Sequence, residues 1–357
     1  MKDCHIVQIV PRLPPYTDGV GDYSLRLAES LRKNHRISTY FIVFQQGIEI
    51  PPVIQGFSAT GLLAYDSDTL LSVLPENTQA IILHYSNYPY IKEKFKGPFW
   101  LPKALEAIVN LRQIKLIVMF YELPFLKYKQ IEILNPIQAS VSRRLAKIAN
   151  DVLTNCGRFQ KIISQWTKSS VTNIPVFSNI PEPTYIPPLV KRERRTIVFG
   201  TTARHRLYKN HLKELIQLCH ILEIKEIYDI GQPLNLDCDN FAGVKVIEMG
   251  FQPHEIVSEL MLNSLVGCLD YTKFPGQVGK SGVFAAYCAH GLTPILSKYN
   301  PSQVDKLECK KHYLVLGNQM ENITEKDLQL VADNAYSWYQ NHNVTETANL
   351  FASLIIN

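Results

Sequence analysis

Three cations, Arg204, Arg206 and Lys209, follow the apolar run Thr196-Ile197-Val198-Phe199-Gly200 and precede a helical stripe. A guanidinium and an ammonium aimed into one crevice suit a diphosphate and the charge left on it when it departs. The competing reading is a solvated basic loop. A second candidate is Gly279-Lys280-Ser281-Gly282 at a helix start, where small residues and a lysine make an anion nest. Gly-Lys-Ser also ends the P-loop consensus, but Phe274 stands where that consensus requires glycine, which rejects an ATPase. A third is Asp18-Gly19-Val20-Gly21, after the first apolar run. Its glycines allow close backbone approach and its helix start favours an anion. The dinucleotide fingerprint is incomplete there, and a loop with Asp22 as the helix N-terminal residue is the plainer reading. His84, and Tyr121 with Glu122, close two further apolar runs. The imidazole could act as a base or a sugar-hydroxyl partner, and the carboxylate as a base or hydroxyl acceptor. A structural histidine and a solvated loop charge are the alternatives.

These groups need strand ends to hold them, and the chain supplies strands alternating with helices. Short apolar runs at 5–10, 39–44, 80–84, 115–120, 151–154 and 171–176 predict strands, with helices at 22–33, 102–112, 136–149 and 159–166 between them. A proline-rich stretch and a basic cluster then fill 181–195, which predicts a linker. A second series follows, with strands at 196–200, 227–230, 244–247, 266–269 and 292–296 and helices at 211–222, 253–262 and 279–290. From Glu325 the tail is helical, broken near 341–343. Alternation of this kind calls for parallel sheets covered by helices. The predicted organisation is an N-terminal domain over 1–180, a linker over 181–195, a C-terminal domain over 196–343 and a last helix over 344–357. In such sheets ligands bind beyond the carboxyl ends of the strands, where every candidate above falls.

A length of 357 residues suits two cores better than one. The net charge is +5 and the cations are spread along the chain, with one cluster at 191–195. That distribution lacks the dedicated basic face of a nucleic-acid binder. Seven cysteines without CxxC pairs or metal-ligand spacing predict reduced thiols. The start has too short an apolar run for a secretory signal, and no stretch approaches a membrane span. The expectation is a cytoplasmic protein whose membrane contact, if any, is peripheral and at the inner face.

The order of these motifs resembles the GT-B glycosyltransferases, especially the retaining enzymes of glycosyltransferase family four. The resemblance covers nearly the whole chain. Pro14-Pro15-Tyr16-Thr17-Asp18-Gly19-Val20-Gly21-Asp22-Tyr23 looks like that family's glycine loop. Arg204 and Lys209 match its arginine and lysine that bind the donor diphosphate, and Ala289-His290-Gly291-Leu292-Thr293-Pro294-Ile295 looks like its turn after the donor site. The resemblance implies two facing Rossmann-like domains and a C-terminal helix crossing back to the first. It implies transfer of a sugar from a nucleotide-sugar to a hydroxyl on a glycan, a lipid-linked or a small-molecule acceptor. The donor would lie on the second domain, with Arg204 and Lys209 on its diphosphate. His84 and Glu122 would line the acceptor side. The nucleotide-sugar is a co-substrate, and no metal or other cofactor and no nucleic acid is expected. One departure is clear. Two glutamates with seven residues between them precede that turn in the family, and Val278 and Ala286 occupy those places here. That leaves two alternatives: a degenerate GT-B protein serving as a glycan-binding or scaffold subunit, or a GT-B nucleotide-sugar epimerase.

Overall fold

The computed structural model describes residues 4–16, 18–44, 49–86, 88–91, 97–128, 131–237, 241–317 and 320–356. The chain divides into two compact units, one formed by Met1–Pro175 together with Val344–Asn357, the other by Val176–Asn343.

The first unit begins with β1 (Cys4–Val10), α1 (Gly19–His35) and β2 (Ile37–Val43). It continues through β3 (Val53–Ile54), β4 (Phe57–Gly61), α2 (Ser67–Ser72), β5 (Ala80–Tyr85), α3 (Trp100–Arg112) and β6 (Lys115–Phe120). Then come β7 (Phe125–Tyr128), β8 (Ile131–Leu134), α4 (Pro136–Ile148), β9 (Asp151–Thr154), α5 (Gly157–Ile163) and β10 (Val171–Asn173). Among the described residues eight strands form one sheet in the order β10-β9-β6-β5-β1-β2-β4-β3. Its pairings are parallel except β3 with β4, and β7 pairs with β8 in a separate antiparallel hairpin. Every residue of β5 is buried, as the continuous run Ala-Ile-Ile-Leu-His-Tyr requires of a central parallel strand. Strand order reverses between β1 and β5, which opens a crevice at their carboxyl ends.

The second unit contains β11 (Glu193–Phe199), α6 (His205–Ile221), β12 (Glu226–Ile230), β13 (Lys245–Gly250), α7 (His254–Leu262) and β14 (Ser264–Leu269). It is completed by α8 (Gly282–Ala289), β15 (Thr293–Leu296), β16 (Leu314–Val315) and α9 (Glu325–Gln340). Among the described residues its six strands run β13-β12-β11-β14-β15-β16, all parallel. Here the order reverses between β11 and β14. Val198, Ile227, Val266, Ile295 and Leu328 share its core. A capping box between Thr324 and Asp327 fixes the start of α9.

The last helix, α10 (Val344–Ile356), packs on α1. Ala348, Phe351, Ala352 and Ile355 form its buried stripe. Leu354 accepts a hydrogen bond from Lys115 Nζ at 2.8 Å, and Asn349 Oδ1 lies 2.9 Å from His35 Nε2.

Three expectations from the sequence need correction. The division falls after Pro175 and not at 180. The proline-rich stretch over 181–195 is part of the second unit and not a linker between units. Arg192 is the reason: its buried guanidinium donates to the carbonyls of Pro187, Ser264 and His290 at 2.8, 3.2 and 3.0 Å, tying the segment down. Finally, α6 starts at His205, with non-helical angles at His211, so the candidate cations lie within or against its first turns.

Candidate functional site

In the second unit the candidate site is built where β11 and β14 end. The chain leaves β11 through Gly200 and a 3-10 turn, Thr202–Arg204, before α6. A Cβ on Gly200 would lie 3.1 Å from Val283 Cγ2, so this turn abuts the first turn of α8. Two arginines of the turn have different fates. Arg204 points inward, and its side chain is 3% exposed. Its Nε donates to both oxygens of Asp229 at 2.9 Å and its Nη2 to Oδ1 at 2.7 Å. Nη1 donates to the carbonyls of Gly200 and Thr201 at 3.1 Å, and Nη2 also reaches the carbonyl of Gln232. A guanidinium has five N–H donors, so none remains for a ligand. Tyr208 adds its hydroxyl to Asp229 Oδ2 at 2.7 Å. Gly231 closes the group: a Cβ there would fall 2.2 Å from Gly200 O and 2.8 Å from Arg204 Nη1.

Arg206 points the other way. Its Nε donates to Asp270 Oδ2 at 3.0 Å. Among the described residues its Nη groups meet no protein acceptor. Asp270 follows β14, and its other oxygen accepts from the Thr272 amide and the Ser297 hydroxyl, each at 2.9 Å. Burial alone would push this carboxyl up; the bonds from Thr272, Ser297 and Arg206 outweigh it and hold the pKa below the ordinary value. Lys209 is exposed.

The loop from Tyr271 to Ser281 is held by Asn300, whose Nδ2 donates to the carbonyls of Tyr271 and Phe274 at 3.2 and 3.4 Å. Gly279 lies in a 3-10 turn and its carbonyl accepts from the Val176 amide at 2.9 Å. Lys280 Nζ lies 5.1 Å from the centre of the Phe274 ring. Ser281 is the N-cap of α8, accepting from the Phe284 amide at 3.1 Å. At Gly282 a Cβ would meet only ordinary van der Waals contact, the nearest atom being Asn179 Nδ2 at 3.9 Å.

In the first unit the corresponding crevice lies at β1 and β5. Asp18 caps α1, accepting from the Val20 and Gly21 amides at 2.9 Å. Thus Gly19, Val20 and Gly21 are the first helical turn, and the cap is Asp18 where Asp22 was the plainer expectation. Gly21 is obligatory, since a Cβ would lie 2.4 Å from Arg12 O. Thr17 lies outside the described residues. His84 is fully buried between Gln8 Oε1, 2.7 Å from Nε2, and the Tyr121 hydroxyl, 2.9 Å from Nδ1. The amide oxygen can only accept, which assigns the ring proton to Nε2 and makes Nδ1 the acceptor of the Tyr121 hydroxyl. Burial pushes the His84 pKa down to about 3, so the ring is neutral near pH 7. Tyr23 packs edge-on against both rings. Glu122 is half-buried and accepts from the Ser86 hydroxyl at 3.4 Å.

No protein-family model matches the sequence, and no curated protein matches it. Solved structures do. The chain is similar to the trehalose 6-phosphate synthase of Burkholderia multivorans, with a TM-score of 0.63 and 10% identity over 99% of this chain and 98% of that one. The Anabaena protein HepE bound to UDP and glucose gives 0.61 and 12%, over 98% of each. An alpha-glucosyltransferase bound to UDP and DNA gives 0.59 and 10%, over 98% and 99%. The chain has the GT-B fold.

Within that GT-B fold the structure brings together some of the expected site residues and separates others. His84 and Tyr121 meet; Glu122 bonds elsewhere. Arg204 is part of a buried network, a correction to its expected place on a diphosphate. Asp270 and Gln8 were not singled out in the sequence, and Arg206 stood among the three cations without being matched to the diphosphate as Arg204 and Lys209 were. An arginine two residues after Arg204 and an acid immediately after a strand were the available signals. Val278 and Ala286 are fully buried, so side chains at those two positions face the core. Among the described residues no three His, Cys, Asp or Glu stand together as ligands for a metal ion, and no helix is long and apolar enough to cross a membrane.

Proposed function

We propose that this chain is a glycosyltransferase that moves a sugar from a nucleotide-sugar to an acceptor hydroxyl. One observation carries the reading: at the β11–β14 crevice Arg206 is braced by Asp270 through Nε while its Nη groups remain available. A braced guanidinium is pre-organised to meet a diphosphate in bidentate fashion. Lys209 and the amino end of α8 at Gly282 would add charge and dipole to the same ligand. In the transfer, the acceptor oxygen forms a bond to the anomeric carbon as the bond to the diphosphate oxygen breaks. The electron pair leaves with the nucleoside diphosphate, whose freed oxygen takes the proton of the acceptor hydroxyl, and these cations stabilise the departing charge without a metal in the scheme. The structural neighbours crystallised with UDP support the choice of donor class. The acceptor is proposed to be a glycan or a lipid-linked hydroxyl, with His84, Tyr121 and Asp18 shaping the first-unit crevice. His84, neutral and enclosed, would orient Tyr121 and would not itself take a proton.

A second reading, a GT-B protein that binds nucleotide-sugar without turning it over, is favoured by Val278 and Ala286. Buried apolar groups there offer no bonds to a sugar or a ribose. One experiment separates the two: UDP-glucose, UDP-galactose and UDP-N-acetylglucosamine are each incubated with the protein, and release of UDP is followed alongside calorimetric binding. Release supports the transferase, binding without release supports the second reading, and neither overturns both.

A further inference from the structure

Asp270 and Ser297 are the first residues beyond two paired strands. Leu269 ends β14 and Leu296 ends β15, and the two stand opposite each other in the parallel register. The Ser297 amide carries the ladder one step further, donating to Leu269 O at 3.1 Å. The sheet thus delivers the Ser297 hydroxyl to the fully enclosed side chain of Asp270, where it lies 2.9 Å from Oδ1. An ionised carboxylate can only accept, so the hydroxyl is the donor. The Thr272 amide donates to the same oxygen at 2.9 Å. Ser297 is itself buried, so it reaches a ligand only through Asp270.

The two arginine–aspartate pairs of this unit occupy their carboxylates differently. Arg204 closes a fork on Asp229: Oδ1 accepts from both Nε and Nη2, at 2.9 and 2.7 Å. Such a fork is the pairing that a guanidinium and a carboxylate favour. Arg206 makes none. Its Nε reaches Asp270 Oδ2 at 3.0 Å, and no Nη bond accompanies it among the described residues. The difference lies at Oδ1. On Asp229 that oxygen is left to the arginine, whereas on Asp270 it already holds Ser297 and Thr272. A carboxylate oxygen offers two lone-pair directions, and two donors fill them.

We propose that Ser297 is a positioning residue for the donor site: by occupying Asp270 Oδ1 it keeps Arg206 from closing a fork on that carboxylate, and so holds both Nη groups open to the ligand. Arg206 is then oriented through Nε alone. Ser297→Ala vacates one lone pair of Oδ1, which the guanidinium can turn to fill with Nη2, as Arg204 does on Asp229. That the open Nη groups meet a diphosphate rests on the transferase reading; the setting of Arg206 by Ser297 does not.

The test uses the full chain. Calorimetry with UDP compares wild type, Ser297→Ala, Arg206→Ala and the double variant. Ser297→Ala is expected to bind UDP about fivefold more weakly, the scale of one lost hydrogen bond, and to melt close to wild type. In the Arg206→Ala background the same substitution is expected to change nothing further, because its effect runs through that arginine. Ser297→Thr, which keeps the hydroxyl, is expected to bind UDP more tightly than Ser297→Ala. Unchanged affinity in Ser297→Ala, an equal loss with and without the Arg206 side chain, or a large fall in melting temperature would overturn the proposal, since Ser297 would then hold the fold and not the arginine. A second readout needs no nucleotide. The Arg206 Nη protons, identified in heteronuclear NMR spectra by their loss in Arg206→Ala, are expected to rotate freely in the wild type and slowly in Ser297→Ala, where the fork has closed. Unchanged rotation would overturn the proposal even if UDP binds. A wild type that does not bind UDP, with the change in rotation present, would overturn the donor reading alone.

Discussion

Arg206 and Asp270 lie 64 residues apart in sequence, and they meet across the point where strand order reverses, Nε donating to Oδ2 at 3.0 Å. The pair differs in kind from Arg204 with Asp229. There both side chains are almost wholly enclosed and every donor is engaged, whereas Arg206 is 24% exposed. The second arginine keeps donors and surface open to solvent that the first has committed to protein acceptors.

Arg206→Ala should therefore weaken UDP binding by about 1–3 kcal/mol, the scale of a lost charge-assisted hydrogen bond. Lys209→Ala should act in the same direction with a smaller effect, because an exposed ammonium loses more to solvent screening. Calorimetry with UDP checks both, and a melting curve must show that each variant still folds.

Arg204→Ala should damage the fold itself. Removing one partner strands Asp229 as a buried charge, an effect of about 3–5 kcal/mol. Urea denaturation should show a large loss of midpoint here and little change for Arg206→Ala. The reverse pattern would exchange the roles of the two arginines.

Acid should destabilise the protein through its enclosed histidines. Burial lowers the pKa of His84 to about 3, and of His342, which packs against Trp338, also to about 3. Both folded values lie below the ordinary 6.5. As pH falls through 6.5 the unfolded chain takes up protons that the folded one refuses, so stability is lost from there down toward pH 3. Each group contributes a slope of up to about 1.4 kcal/mol per pH unit. Urea midpoints at pH 7, 6, 5 and 4 should fall progressively, and His84→Asn should flatten the decline.

Glycine positions divide into two classes. Gly231 has φ 141° and its missing Cβ would strike Gly200 O, so Gly231→Ala should cost several kcal/mol, in the range of overpacking plus backbone strain. Gly282 has ordinary surroundings, so Gly282→Ala should melt like the wild type. If the amino end of α8 receives the diphosphate closely, that variant should nevertheless bind UDP more weakly. Unchanged binding would remove α8 from the site.

Strand–helix alternation was legible because central parallel strands are continuous apolar runs; β6 and β9 match the expected bounds of 115–120 and 151–154. The break between α9 and α10 was legible too, from its cluster of polar Asn341, His342 and Asn343. Short elements were not: β3, β4, α2, the β7–β8 hairpin and β16 offer too few residues for a period to emerge. Nor could spacing orient a side chain. Arg204 and Arg206 are equivalent on paper, and only Asp229 on one neighbouring strand and Asp270 after another decide which is enclosed. The proline run misled because prolines mark extended backbone, which also describes a segment strapped along a domain. Arg192 and its carbonyl partners made the difference.

The return of α10 to α1 has a consequence for biosynthesis. The second unit is one uninterrupted stretch of chain, 176–343, whereas the first needs both ends of the sequence. On a ribosome adding about 5–20 residues per second, the first unit emerges early and then waits on the order of ten seconds for its last helix. During that interval the α10-facing surface of α1 has no cover. The unit translated second can therefore be finished first, and the amino-terminal one matures only when Phe351 and its neighbours arrive.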